Sequence, residues 1–439
     1  MAIIYVDNRA TGLNNGTSPA NAFTSLALAV TAGAGNTVEV IAGSGPYYEP
    51  LVFRSSGTLG NENVWNFNGC EVSKGVNLTN PLIYKWMPSV LGNNIYYCVK
   101  LDGTTTGLVT GTTTSDLGCV TVDGLASIAS AILPHKLMLT NTITLNKQVA
   151  RGDADALGFN TFYVRMDSGN PVSNSSIYAA SSDFVVDTSF SYNIVNDAVI
   201  SYANVCCINM RGKVWRFNNC IIKYCDSQGA QTAGTNATEF DLYFNNCIFY
   251  YTGHRAVNVL SVGAGVPKVY MDHCTVVGTH LGAIIASTSA VGSLLTITNS
   301  LFAYLTAGGI DNVKADPAYL VENNNYWFPV FTESTNGLAY VTLAGWPETA
   351  ATDIPPSRAG NDGVAANYTD PEFVAYSEYG IENCNLRLAN NTSGASVGAA
   401  ISWTSTGRRK LDADGEPYPD YEISMGAYQS KITPNHPAI

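Results

Sequence analysis

Four stretches in the middle of the chain set apolar and polar residues around one nucleus: RFNNCII from Arg216, YFNNCIF from Tyr243, YMDHCTV from Tyr270 and TITNSLF from Thr296. Their equivalent positions Cys220, Cys247, Cys274 and Ser300 are spaced 27, 27 and 26 residues apart, and a fifth copy, VENNNYW, places Asn325 25 further on. Counted from the Cys, position +2 is Ile222, Phe249, Val276 and Phe302, position +9 is Gly229, Ala256, Ala283 and Gly309, and position +10 is Ala230, Val257, Ile284 and Ile310. Each unit buries an apolar residue, turns at a small one and points inward again. The short period and the β-branched and aromatic content suit buried strands. Three such strands with three turns fill roughly 20–30 residues, one coil of a solenoid. The pattern predicts an all-β chain wound as a right-handed parallel β-helix.

The polar positions agree. Asn219, Asn246 and Asn299 share one place, with His273 substituting in one coil. Coils stack about 4.8 Å apart, so equivalent amides can hydrogen-bond up and down a ladder. Asn also tolerates the left-handed backbone of a tight corner. His273 and its neighbour Asp272, which takes the slot of Asn218 and Asn245, read as members of that corner. Cys220, Cys247 and Cys274 read as an inward row of small apolar residues with free thiols. No CxxC pair suggests zinc, and no metal or cofactor is expected.

Residues 1–75 read as an N-terminal cap and first coils. Within them Asn21 to Ala32 spaces Phe23, Leu26, Ala27 and Val30 as an amphipathic helix closing the open end. Trp65–Cys70 (WNFNGC) repeats the theme of Trp215–Cys220 (WRFNNC), so the coil motif stands on both sides of an interruption. That interruption, 76–190, loses the repeat and reads as a small inserted antiparallel β module. Coils resume over 191–335, and 336–439 reads as last coils and a C-terminal cap.

Composition narrows the partners. Only 13% of residues are charged and the formal net charge is −12, which argues against nucleic acid or an anionic membrane surface. No stretch reaches membrane-span length. The opening MAIIYVDNRATG has no basic segment followed by a long apolar run, so no secretory signal is expected in the sequence as given.

The opening YVDNRATGLNNGTSPANAFTSL with NTVEVIAGSGPYYEPLVFRSSGT, and the closing DPEFV, NLRLANNTSGASVGAA and DADGEPYPDYEISMGAYQ, resemble the pectate-lyase-like right-handed β-helix superfamily. Asp153–Arg165 (DADALGFNTFYVR) resembles a module of β-helix proteins from phages and environmental bacteria. Together the resemblance covers about four-fifths of the chain. It implies the fold directly. For function it implies a range from polysaccharide lyases and glycoside hydrolases to phage tailspikes and inactive binders. The calcium-binding aspartate cluster of pectate lyases has no counterpart here.

Register converts the list of residues into a surface. Position +4 holds Tyr224, Tyr251, Gly278 and Tyr304, position +6 holds Asp226, Gly253, His280 and Thr306, and Ser227, Gln228, His254 and Arg255 fill the places between. These should share one exposed edge, with Asp226 and His280 roughly 10 Å apart along the axis. Such a strip suits a polysaccharide, with Tyr224, Tyr251 and Tyr304 to stack on sugar rings, Arg255 to neutralise acidic groups and His280 among the binding residues; the alternative is a structural turn whose tyrosines form an outer ladder that rigidifies the stack. In a lyase, Arg255 would stabilise the sugar carboxylate while His254 or Tyr251 removes a proton. In a hydrolase, Asp226 would need a second carboxylate about 5–9 Å away.

These readings lead to a phage virion protein of tailspike or decoration type that binds, and on the lyase or hydrolase reading cleaves, a host surface polysaccharide. Its partners would be that glycan and other virion proteins. Tailspike resemblance implies a homotrimer, although no heptad stalk follows residue 430. The alternatives are a non-catalytic structural or adhesive virion protein, and a secreted bacterial polysaccharide lyase lacking its signal peptide.

Overall fold

The computed structural model describes residues 2–329 except 31–34, 109–117, 124, 128–135, 139–145, 159–160, 235–238, 262–265, 280–283, 288–293, 306–309, 313–319 and 324–325, together with 358–359, 373–375 and 385–388. Three parallel sheets wall a solenoid. The first has nine strands: Ile3–Val6, Thr37–Val40, Asn63–Asn66, Asn193–Asn196, Val214–Asn218, Glu239–Asn245, Val266–Asp272, Leu294–Thr298 and Leu320–Asn323. The second has eight: Glu71–Ser73, Val199–Ala203, Ile221–Cys225, Ile248–Thr252, Thr275–Val277, Leu301–Leu305, Tyr326–Pro329 and Arg358–Ala359. The third has six: Phe184–Thr188, Cys206–Met210, Gln228–Gly234, Arg255–Ser261, Ile284–Ser287 and Ile310–Asn312. The chain visits first, second and third sheet in turn and then begins again one rung higher. This is a parallel β-helix.

The core is built from the rows that the repeat marks. Trp65, Val195, Phe217, Phe244, Met271 and Ile297 pair in register on the first sheet and are all buried. Phe217 and Phe244 stack with centroids 5.5 Å apart, and Phe249 meets Phe244 edge-on. Ile222, Phe249, Val276 and Phe302 line the second sheet, and Ala230 and Val257 the third. Cys70, Cys220, Cys247 and Cys274 are likewise buried, and all nine described cysteines carry free thiols. Burial pushes the Cys247 thiol well above its ordinary range, so it is held neutral inside.

The corner between first and second sheets is a single left-handed residue in each coil. Asn68, Asp197, Asn219, Asn246, His273 and Asn299 take it with φ between 50° and 56°. Asn246 Nδ2 donates to Asn219 Oδ1 at 3.1 Å, and Asn219 Nδ2 donates to Asp197 Oδ1 at 3.0 Å. A second ladder runs one residue earlier: Asn245 to Asn218, Asn218 to Asn196 and Asn196 to Asn66, at 2.8, 2.7 and 2.7 Å. Asp272 replaces an amide there and accepts from Asn299 Nδ2 at 3.0 Å. These side chains satisfy one another in a place where burial without partners would be costly.

Two expectations are corrected. The capping helix is only Leu26–Ala29, started by Ser25, because Phe23 is drawn into a bridge with Val6. Leu26, Ala29 and Val30 face the core while Ala27 is exposed, and the Glu49 carboxylate accepts from the Leu26 and Ala27 amides. The β-helix also resumes earlier than residue 191. Phe184–Thr188 already lies in the third sheet, and the first full coil after the insert spans 22 residues, Val195 to Phe217, so it breaks the period of 27.

The insert leaves the solenoid between second and third sheets. Gly75–Asn77, Ile177–Ala180, Val120–Val122 and Leu125–Ser127 form one antiparallel sheet. Tyr84–Pro88, Ile95–Lys100, Thr161–Arg165 and Val149–Gly152 form another, with Lys136–Met138 parallel at its edge. Trp86, Cys98, Phe162, Val164 and Ile177 give it a hydrophobic core of its own. Most of 336–439 lies outside the described residues.

Candidate functional site

The predicted edge is the corner joining second and third sheets. In three successive coils it is two residues long: Asn204 and Val205, Asp226 and Ser227, Gly253 and His254. Backbone bonds fix it, with Asp226 N donating to Ala203 O, Gly253 N to Cys225 O and His254 N to Ser227 O. The coils approach so closely that a Cβ on Gly253 would sit 1.7 Å from the Asp226 carbonyl oxygen. Glycine is therefore required there by space rather than by φ.

The geometry brings His254, Ser227, Gln228 and Arg255 together. Ser227 Oγ lies 3.1 Å from His254 Nδ1 and accepts from Gln228 Nε2 at 3.0 Å. Because Gln228 donates into that oxygen, the serine proton can be given to Nδ1. In that tautomer Nε2 carries the proton and donates; in the other, Nδ1–H donates to Ser227 Oγ and Nε2 accepts. Arg255 stands on the next row, in register with Gln228, and both His254 and Arg255 are half-buried. The insert closes the N-terminal side of the strip. Its Gly118 lies against the Asn204 side chain, and Thr121 Oγ1 is 2.8 Å from the Tyr202 hydroxyl.

Two members of the expected aromatic platform, Tyr224 and Tyr251, are buried rather than on the surface. Tyr224, Tyr251 and Asp226 are only 3%, 5% and 4% exposed. Tyr202, Tyr224 and Tyr251 each adopt positive φ, 62°, 57° and 49°, at a position that the strand pairing skips without a change of register. That twist lays the rings along the solenoid wall, where Tyr178, Tyr202, Tyr224, Tyr250 and Tyr251 form a chain of contacts 4.7 to 5.9 Å between centroids. Gly278 continues the row, and a Cβ there would press on the Tyr251 ring at 3.0 Å. These tyrosines join insert to solenoid. Glu239 and Asp241 do not complete a glycosidase pair with Asp226, because they belong to a strand of the first sheet, on another face. His280 and the Tyr304 side chain lie outside the described residues.

Two polar surfaces escaped the sequence reading. On the third sheet Gln231 Nε2 donates to Asn209 Oδ1 and Asn209 Nδ2 to Asp187 Oδ1, each at 2.9 Å, with Arg211 paired to Asp187 at 3.1 Å. Position +11, where Gln231 and Asn258 align, carried that signal. On the first sheet Arg216, Tyr243 and Tyr270 form an outward row, visible as the opening letters of the repeats themselves. Among the described residues no cluster of His, Cys, Asp and Glu is arranged to hold a metal ion, and no helix is long and apolar enough to cross a membrane.

No family model and no curated protein matches the chain. Among solved structures it is similar to XylC in a complex with xylose, at 12% identity and a TM-score of 0.50, over 74% of this chain and 66% of that one. This chain therefore spans just under two thirds of the length of XylC. A glycoside hydrolase superposes more loosely, with a TM-score of 0.40 and 9% identity over 75% and 87% of the two chains. Pectate lyase Pel9A gives a TM-score of 0.36 and 12% identity over 98% and 96%. The class is thus that of parallel β-helix proteins.

Proposed function

We propose that this chain is a glycan-binding β-helix of the tailspike or virion-decoration type, holding an acidic surface polysaccharide along the corner strip. The observation that carries the reading is the convergence of Arg255, His254 and Ser227 beside the wall made by the insert. Arg255 supplies a fixed positive charge suited to a uronate or other sugar carboxylate, and His254 offers Nε2–H to a second oxygen. The burial of Asp226, 4% exposed, favours holding a glycan over cutting it. The phage-like segment Asp153–Arg165 lies in the insert, at the strand Thr161–Arg165, and supports a host-facing virion role. XylC, of similar fold, was solved with xylose.

Calorimetric titration of purified protein with hexagalacturonate and with host surface polysaccharide tests the binding. Arg255→Ala is expected to weaken it about tenfold or more with an unchanged melting temperature, as for a partly exposed charge lost from a charge-assisted contact. Equal affinity in wild type and variant would sink the strip as the site. Appearance of reducing ends or unsaturated products on incubation would restore the catalytic reading. Electron microscopy of particles with labelled antibody tests the virion placement.

A further inference from the structure

The outward row of the first sheet is a pile of flat groups that stops one position short. Arg216, Tyr243, Tyr270 and Thr296 occupy it on successive rungs. The Tyr243 and Tyr270 rings lie parallel, centroids 4.4 Å apart and planes 5° from each other. Below them the Arg216 guanidinium lies 5.1 Å from the Tyr243 centroid and is paired with Glu62 at 3.7 Å. Above them the row continues with Thr296, whose side chain is too short to cover a phenol. Among the described residues no ring lies on the upper face of Tyr270. The row two residues earlier on the same strands carries Asp241 and Lys268, 3.9 Å apart with side chains 27% and 35% exposed.

We propose that this step is a second carbohydrate subsite, which takes one neutral pyranose of a β-linked chain. A sugar with equatorial substituents has axial C–H bonds on each face, and such a face packs on an aromatic ring by the same dispersion and quadrupole attraction that holds the tyrosine pair. The pyranose occupies the place that a third tyrosine would take at the rung of Thr296. Lys268, one rung below and two residues earlier, donates to a sugar oxygen, with Asp241 beside it on the next rung down as its counter-charge. The balanced charges of Lys268 with Asp241 and Arg216 with Glu62 suit an uncharged sugar, whereas Arg255 suits an acidic one. The subsite is on the first sheet, away from the corner strip, and goes beyond the function proposed there.

The test uses the full chain with xylohexaose and cellohexaose as neutral probes and hexagalacturonate for the corner strip, read by calorimetry and by tyrosine ring signals in nuclear magnetic resonance. Wild type is expected to bind a neutral probe with perturbed Tyr270 signals. Thr296→Tyr extends the pile with a protein ring and is expected to abolish that binding while the melting temperature stays level or rises. Tyr270→Ala, which needs no new ring to fit, is expected to weaken it about tenfold. Arg255→Ala is expected to weaken hexagalacturonate binding and leave neutral-probe binding unchanged, so hexagalacturonate binding that is absent in wild type or undiminished in Arg255→Ala marks a failure of the corner reading only. Failure of both neutral probes to bind wild type, or undiminished binding in both Thr296→Tyr and Tyr270→Ala, overturns the proposal.

Discussion

Asn219 combines two demands that few side chains meet together. Its backbone sits at φ 54°, and its amide both donates to Asp197 and accepts from Asn246. Alanine would lose the ladder and also carry a Cβ in the left-handed region, a conformation that costs roughly 1–2 kcal/mol for an L-residue. Glycine would lose the ladder alone. Asn219→Ala is therefore expected to be less stable than Asn219→Gly, by about 1 kcal/mol in urea unfolding. Equal destabilisation would mean that the backbone, not the residue, sets the corner. The left-handed tyrosines show the opposite relation between residue type and conformation. Asn at a corner announces positive φ, whereas Tyr202, Tyr224 and Tyr251 adopt it with no local signal. Tyr224 and Tyr251 were legible as a row, but their burial was not, because side-chain type alone does not reveal a left-handed residue within a strand.

At the scale of the coil, legibility followed the inward rows. Positions +2 and +10 and the Cys row were readable because a core tolerates little change in size and polarity there. The coil from Val195 to Phe217 escaped because Asp197 and Ala198 replace the Asn and Cys of the repeat and because it is five residues shorter than the next coil, mostly through shorter strands in the third and first sheets. The corner of His254 was legible as a place, but the contact between Ser227 and His254 depends on how closely two coils approach. Gly253 sets that approach. Gly253→Ala must push the Asp226 carbonyl away, and overpacking of this kind costs about 1–3 kcal/mol. The expected outcome is a lower melting temperature together with weakened acidic-glycan binding, since His254 follows directly in the chain. A variant with wild-type stability would show that the corner relaxes freely.

Across the whole molecule, the insert is an addition to a solenoid that is continuous without it. Trp65 pairs with Val195 and Val72 with Ile200 at sequence separations of 130 and 128, as though nothing lay between them. The insert keeps its own hydrophobic core, and the solenoid core runs past it from Phe67 and Val72 to Val195 and Ile200. Ser73 and Phe184, at its two ends, align with Ser201 and Cys206 of the next coil, which are joined there by Tyr202, Ala203, Asn204 and Val205. Replacing residues 74–183 by that four-residue link should therefore give a chain that still melts cooperatively with a β-type circular dichroism spectrum. Its melting temperature should fall, because Tyr202 loses Thr121 and the covering strand of Tyr178. Acidic-glycan binding should fall as well, since the strip loses the wall beside Asn204, while neutral-sugar binding on the first sheet should persist. A shortened chain that fails to fold would place the insert inside the cooperative unit. One that binds the acidic glycan as wild type does would remove the wall from the site and leave Arg255 and His254 to hold the sugar unaided.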